Sequence, residues 1–345
     1  MSSQEHPPIV LTGCGWVTPV AAGTIPEVLG ATRTAATIAA SPDGYAAVAD
    51  EWPDDFPEPS GELKRDRAAA ITAVALEHAR RQAGLDAESH DPVRVGLVLG
   101  CALAGQAGMI AFAEDVREQT ARFVSPIHFP QTVGNYVAGA LARSCGIRGA
   151  NLTLSSGVAS GLDAMVEAFG LLQARAVDLV FAGGTDVLTP ELASGLAQPG
   201  AVLSEGACWF ALERADQADA RGAKPLATIA QTGLDAAAQA RAVEIPGCIV
   251  SNASADQLGS VRIESWIGHC FAALAPAAVA AAIGAAQGLE VPWIVAVDPL
   301  RVANGAVQAI TMTQTDQAPQ ARALTVADTG TGHTSAIELA LPAKP

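Results

Sequence analysis

Asn151 to Ser155 reads as a short strand and Ser160 to Arg175 as an amphipathic helix, joined within Ser155-Ser156-Gly157-Val158-Ala159-Ser160-Gly161-Leu162-Asp163-Ala164. A strand feeding a helix across so few residues commits the chain to layers of sheet and helix packed face to face. It is also the frame on which a nucleophile is presented at a helix N-terminus. The presenting position holds Val158. A branched hydrocarbon has no lone pair, no titratable proton and no route to a covalent intermediate. A frame kept with its reactive atom missing points toward a non-catalytic partner subunit.

The alternation continues along the chain. Ile9 to Thr12, Val93 to Gly100, Asp178 to Ala182 and Gly206 to Glu213 read as strands. Arg65 to Ala83, Gly105 to Gln119 and Gln131 to Ser144 read as helices, and Ser41 to Pro59 as a polar, proline-rich surface stretch. Later, Cys248 to Ser251, Trp293 to Val297, Ala323 to Asp328 and Thr334 to Leu341 read as strands, with a buried helix at Ala272 to Ala286. Leu179 to Gly184 leading to Ala207–Leu212 is echoed by Leu324 to Ala327 leading through glycines to Ala336–Leu341. Both read as strand, glycine turn, strand, which points to duplication. The expected class is α/β in two halves, residues 1–213 and 214–345, sharing one core. Its glycine- and alanine-rich elements predict close approach between layers.

The formal charge of −15, from 35 acidic and 20 basic residues, excludes nucleic acid as a natural partner. No run is long and apolar enough for a membrane span. The opening residues Met1 to His6 lack a secretory leader, so a cytoplasmic location is expected. The cysteines, Cys14, Cys101, Cys145, Cys208, Cys248 and Cys270, show no metal-ligand spacing and read as reduced, mostly buried small hydrophobes. No cofactor or metal is expected. Ser155, Ser156 and Ser160 form no Gly-x-Ser-x-Gly elbow. Asp163 and Asp186 read as helix caps or bridges to neighbouring turns.

Taken in order, eight segments resemble the β-ketoacyl synthases, thiolase-fold proteins built of two duplicated α/β halves in α-β-α-β-α layers. They are Val10 to Pro19, Gly96 to Gly100, Val124-Ser125-Pro126 with Asn135 and Ala138-Gly139, Ser160 to Ala164, Ala182 to Asp186, Ser204 to Ala207, Ile267-Gly268-His269, and Gly330 to Ser335. No segment is specific alone; eight in the family's order are. The resemblance spans about residues 8 to 342 and implies a site of one Cys, two His and a Lys. A helix N-terminus favours the thiolate and backbone N–H groups form an oxyanion hole.

Carried over residue by residue, the Cys position is Val158, the first His position falls on Asn252, the Lys position is Glu264, and His269 alone matches. The interval from Asn252 to His269 is shorter than in active members. Thr329 and Thr331 stand where aromatic residues commonly flank the last glycine turn, and His333 lies in that turn.

The resemblance implies a chain-length-factor-like subunit of the type II polyketide or aryl polyene kind. Such a subunit pairs with an active ketosynthase as a heterodimer, meets an acyl carrier protein through that complex, and walls the partner's acyl tunnel. By position, Gln106, Met109, Phe112, Ala113 and Phe129 are the wall candidates. The competing account of Met109 and Phe112 is ordinary core packing. Arg143 with Arg148, or Arg117 with Arg122, would offer a basic patch to an acidic carrier protein. Two alternatives stay open: a malonyl-thioester decarboxylase using His269 without covalent catalysis, and a homodimeric scaffold that holds carrier proteins.

Overall fold

The computed structural model describes residues 7–34, 44–49, 61–86, 89–103, 105–120, 122–124, 126, 128–197, 202–232, 267–287, 306–311, 321–328 and 334–341. Strands at 248–251 and 293–297, and Asn252, Glu264, Thr329, Thr331 and His333, lie outside the described residues.

Among the described residues the strands are β1 (Ile9–Val17), β2 (Ala22–Gly23), β3 (Tyr45–Ala46), β4 (Val95–Gly100), β5 (Asn151–Leu154), β6 (Leu179–Asp186), β7 (Leu203–Ser204), β8 (Gly206–Arg214), β9 (Ala227–Thr232), β10 (Ala306–Thr311), β11 (Ala321–Asp328) and β12 (Thr334–Leu341). The helices are α1 (Ile25–Thr34), α2 (Glu62–Arg65), α3 (Arg67–Gln82), α4 (Gln106–Gln119), α5 (Tyr136–Ser144), α6 (Ser160–Gln173), α7 (Pro190–Leu196), α8 (Ala215–Ala220) and α9 (Leu274–Ala286).

Nine strands run in the order β10-β11-β12-β9-β1-β8-β6-β4-β5, with β2 attached to β1, as one mixed sheet. The β4–β5 and β4–β6 pairs are parallel, whereas β8 runs antiparallel to both β6 and β1. Among the described residues β5 pairs only with β4 and ends this path. α3 and α5 pack on one side of the β4/β6/β8 region and α6 on the other; α9 packs against both α6 and β10–β11. Helices thus cover both faces of this part of the mixed sheet, as the α/β class expected from the sequence requires.

Small residues set how closely the layers meet. A Cβ on Gly15 of β1 would sit 1.7 Å from the Ala75 carbonyl oxygen of α3, so the alanine-rich helix lies directly on the strand. Asp66 caps that helix by accepting from the Ala69 N–H at 2.9 Å. Gly184 of β6 approaches the next layer as closely, its absent Cβ 2.0 Å from the Ala272 oxygen.

This contact corrects the expected turn at Gly183-Gly184: both glycines lie inside β6, which runs on to Asp186, because the Ala272 backbone above Gly184 and the Cys208 backbone of the neighbouring strand β8 beside Gly183 leave no room for a side chain. β1 likewise continues past Thr12 to Val17. The helix expected from Gln131 starts at Tyr136, after a 3-10 turn at Phe129–Thr132 with Pro130 in its first positions. Residues 45–48 are no polar surface: Tyr45, Ala46 and Val48 are buried.

Two buried clusters share the sheet. One holds Trp16, Met165, Phe210 and most of α9; the other holds Ile71, Leu97, Leu141 and Trp209. The described side chains of α9 are buried from Leu274 to Ile283, consistent with its having apolar residues all round. Two of the helices are entered through turns of the same kind. A 3-10 turn, Gly157–Ala159, leads into α6, and a second, Phe271–Ala273, leads into α9; the two turns pack on each other. Among the described residues no helix is long and apolar enough to cross a membrane.

Candidate functional site

The site is built around those two turns. Gly157 adopts φ +70° and swings the chain from β5 toward α6. Ser160 fixes the turn: its hydroxyl donates to the Gly157 oxygen at 2.6 Å and accepts from the Ser156 N–H at 2.8 Å. The Ser156 hydroxyl donates to the Asp163 carboxylate. Both hydroxyls are thus held in local hydrogen bonds. Val158 is half-buried and packs against the main core cluster. The turn at the head of α6 is thus held by local hydrogen bonds, and its central side chain, Val158, is aliphatic.

His269 stands ahead of the second turn. Its N–H donates to the Val202 oxygen at 2.8 Å, and its carbonyl accepts from the Ser204 N–H at 3.0 Å, forming a parallel bridge to Leu203 of β7. Its ring is 3% exposed and meets the Phe271 ring edge-on at 4.8 Å. Among the described residues neither ring nitrogen has a hydrogen-bond partner, nor does the nearby buried Ser204 hydroxyl. Burial without a countercharge pushes the imidazole down to about 4, so the ring is neutral near pH 7. A neutral imidazole donates one hydrogen bond and accepts one.

A buried ion pair secures the ground under β7. Glu205 is fully buried and accepts from Arg67 Nη2 at 2.6 Å, from Arg67 Nε at 2.8 Å and from the Val48 N–H at 3.0 Å. It pins the 44–48 segment beside the strand that holds His269. Nothing local in the sequence announces this pair, since Arg67 and Glu205 lie in distant segments. Asp186 bridges two turns, as its sequence position implied; its carboxylate accepts from the N–H groups of Ala102, Leu103 and Ala272.

The wall candidates sit on the outside. α4 buries none of its residues. Gln106 and Ala113 are exposed, Met109 is 45% exposed and Phe129 57%, while Phe112 is half-buried with its ring edge-on to Phe129 at 5.9 Å. Core packing therefore does not account for Met109 or Phe112. Arg143 is less available than expected, because Glu62 accepts from its Nε and Nη2 at 2.8 and 2.9 Å. Cys14, Cys101, Cys208 and Cys270 are buried, as expected for most of the thiols; Cys145 is exposed, and Cys248 lies outside the described residues. Among the described residues no group of three His, Cys, Asp or Glu side chains is placed to hold a metal ion.

Comparison with known proteins agrees with this geometry. Residues 27–223 match the family profile described as "Beta-ketoacyl synthase, N-terminal domain", and the chain belongs to the β-ketoacyl synthase family. It is 28% identical over 269 residues to "3-oxoacyl-[acyl-carrier-protein] synthase 2" of Rhizobium meliloti (strain 1021), covering 66% of this chain and 63% of that protein. It is 29% identical over 188 residues to "Nodulation protein E" of Rhizobium sp. (strain N33), covering 50% of this chain and 47% of that protein. The chain thus spans about half to two-thirds of the length of these curated relatives.

Among solved structures, "The ishigamide ketosynthase/chain length factor" superposes with a TM-score of 0.73 at 16% identity, covering 97% of this chain and 99% of that one. A type II acyl-carrier protein in complex with its ketosynthase (AntDE:AntF) gives 0.69 at 17% identity, covering 98% of this chain and 100% of that one. The fold is the thiolase-like fold of the ketosynthases.

Proposed function

We propose that this chain is a non-catalytic ketosynthase-family subunit that pairs with an active β-ketoacyl synthase and helps shape its acyl tunnel, in the manner of a chain length factor. The observation that carries the reading is Val158 at the head of α6, on a turn whose backbone and hydroxyl supports are all in place. Without a thiol there, covalent acyl transfer must take place on another polypeptide. Asn252 and Glu264, at the family's His and Lys positions, remove two more of its catalytic groups.

The exposed face of α4 with Phe129 supports a tunnel-facing role for Gln106, Met109, Phe112 and Ala113, because large apolar side chains at the surface mark contact sites. β5, at the end of the sheet path, is the edge on which a partner strand would pair. In this reading residues 1–213 and 214–345 are the two halves of one cytoplasmic subunit, and an acyl carrier protein meets it through the complex. Co-expression with an active ketosynthase tests it. A stable one-to-one complex, and a poorly soluble or self-associated chain without the partner, are expected; a well-behaved monomer would count against the pairing.

A second reading rests on His269. Its two buried ring nitrogens, which have no hydrogen-bond partner among the described residues, leave hydrogen-bonding capacity for a thioester carbonyl, which a decarboxylase acting without a covalent step requires. Carbon dioxide release from a malonyl-carrier protein by the pure chain would favour it over the pairing role. A complex with carrier protein that forms without any ketosynthase would instead favour a homodimeric scaffold.

A further inference from the structure

A cleft opens at the starting ends of β4 and β6, beside their first residues Val95 and Leu179. The turn at Gly157 and the Asp186 carboxylate lie at the opposite, finishing ends of the parallel strands. The cleft has a volume of about 520 Å³, within the range of small-molecule sites. Leu76 of α3, Val95, Leu179 and Phe181 form its floor, all of them members of the second buried cluster. Ile147, which packs against that cluster, closes one side.

The rim is built from two helix ends. α3 runs out at Gln82 and α5 at Ser144, and the residues that follow them, Leu85 and Asp86 on one side and Cys145 to Ile147 on the other, border the opening. A helix C-terminus carries partial negative charge and favours cations and hydrogen-bond donors. The rim side chains have the same bias. Among the described residues two carboxylates, Glu77 and Asp86, line the cleft against one guanidinium, Arg80. That guanidinium is engaged locally: Nε and Nη2 donate to Glu77 at 2.6 and 2.8 Å, and Nη1 donates to the Leu85 oxygen.

His90 stands in the same wall. Burial lowers its pKa, so the imidazole adds no positive charge near pH 7. Its Nδ1 is buried with no hydrogen-bond partner among the described residues, the condition of a wall that a bound group or water completes. An anionic head would face two carboxylates and two helix C-termini, whereas a donating head would satisfy them.

We propose that this cleft binds a small organic amine, its apolar body on the Leu179 and Phe181 floor and its amino head at the rim between Asp86 and Cys145. The inference goes beyond the pairing role and uses none of the residues on which that reading rests.

Calorimetric titration of the full chain, alone or in whatever complex it purifies, tests the site with three molecules of similar shape: phenylbutylamine, phenylbutanol and phenylbutyrate. The amine is expected to bind saturably and the carboxylate about tenfold or more weakly, with the alcohol between them. The exposed Cys145 thiol reports the place. Amine at about ten times its Kd should slow modification of Cys145 by N-ethylmaleimide about tenfold, read by peptide mass spectrometry. Cys145→Trp should fill the cleft and abolish amine binding. No saturable binding of the amine, or a carboxylate or alcohol that binds as tightly, overturns the proposal. So does amine binding that leaves Cys145 labelling unchanged or that survives Cys145→Trp. Should that variant not fold, labelling of the wild-type chain decides alone.

Discussion

Arg67→Ala is the perturbation whose magnitude follows most directly from the geometry. Glu205 is fully buried and takes three close contacts from the Arg67 guanidinium, between 2.6 and 2.9 Å, besides two backbone N–H bonds from Val48 and Leu188. Removing the arginine leaves a buried carboxylate without a countercharge, a change that costs about 3–5 kcal/mol. A third of the Arg67 side chain is exposed, so water screens part of the pair and the lower end, about 3 kcal/mol, is expected. That is a large fraction of the stability of a typical protein, about 5–15 kcal/mol.

Denaturant unfolding is the assay, read as a lowered midpoint at an unchanged slope. Arg67→Met combined with Glu205→Leu should recover part of the loss, because it removes the stranded charge but leaves the Val48 and Leu188 N–H groups without an acceptor. A cost for Arg67→Ala below about 1 kcal/mol would refute the reasoning, since it would mean that Glu205 is hydrated or neutral without its partner.

Four further outcomes are expected. Asp186 has its pKa raised to about 7 in the fold, against about 3.9 in an unfolded chain. Its contribution to stability is therefore complete below about pH 4 and is lost as pH rises to about 7; this is of order 4 kcal/mol, read as the difference between wild type and Asp186→Asn across pH-dependent unfolding. Gly184→Ala places a methyl group 2.0 Å from the Ala272 oxygen and should destabilise by several kcal/mol in the same assay. Met109→Glu, at an exposed position, should change stability by less than about 0.5 kcal/mol while weakening association with the proposed ketosynthase partner, measured by calorimetry. Val158→Cys should acquire a thiol that an alkylating reagent modifies, seen by mass spectrometry, yet no condensing activity, because Asn252 and Glu264 remain.

The sequence made the alternation of strand and helix legible wherever apolar runs ended at glycine or a polar turn. β4, β5, α3, α4, α6 and α9 fall within a few residues of where composition puts them. It misled where a glycine served packing. Gly183 and Gly184 read as a turn because isolated glycine pairs usually are turns; only the overlying Ala272 backbone and the Cys208 backbone of the paired strand β8 show why a strand needs them.

The site divides in the same way. Val158 and His269 were readable because each sits in a local motif that also fixes its own turn. The Arg67–Glu205 pair was not, since it joins segments far apart in sequence, and a solvated Arg and Glu look the same on paper. Asp186 was readable as a bridge, but its three donors come from two other segments and could not be named without the fold.

The central claim is that the residue heading α6 cannot carry an acyl group. Supplying a radiolabelled acyl-carrier protein to the purified chain, and separately to its complex with a ketosynthase, measures this directly. Label bound covalently to the ketosynthase polypeptide and none to this one is the expected result. Stoichiometric label on this chain by itself would contradict it.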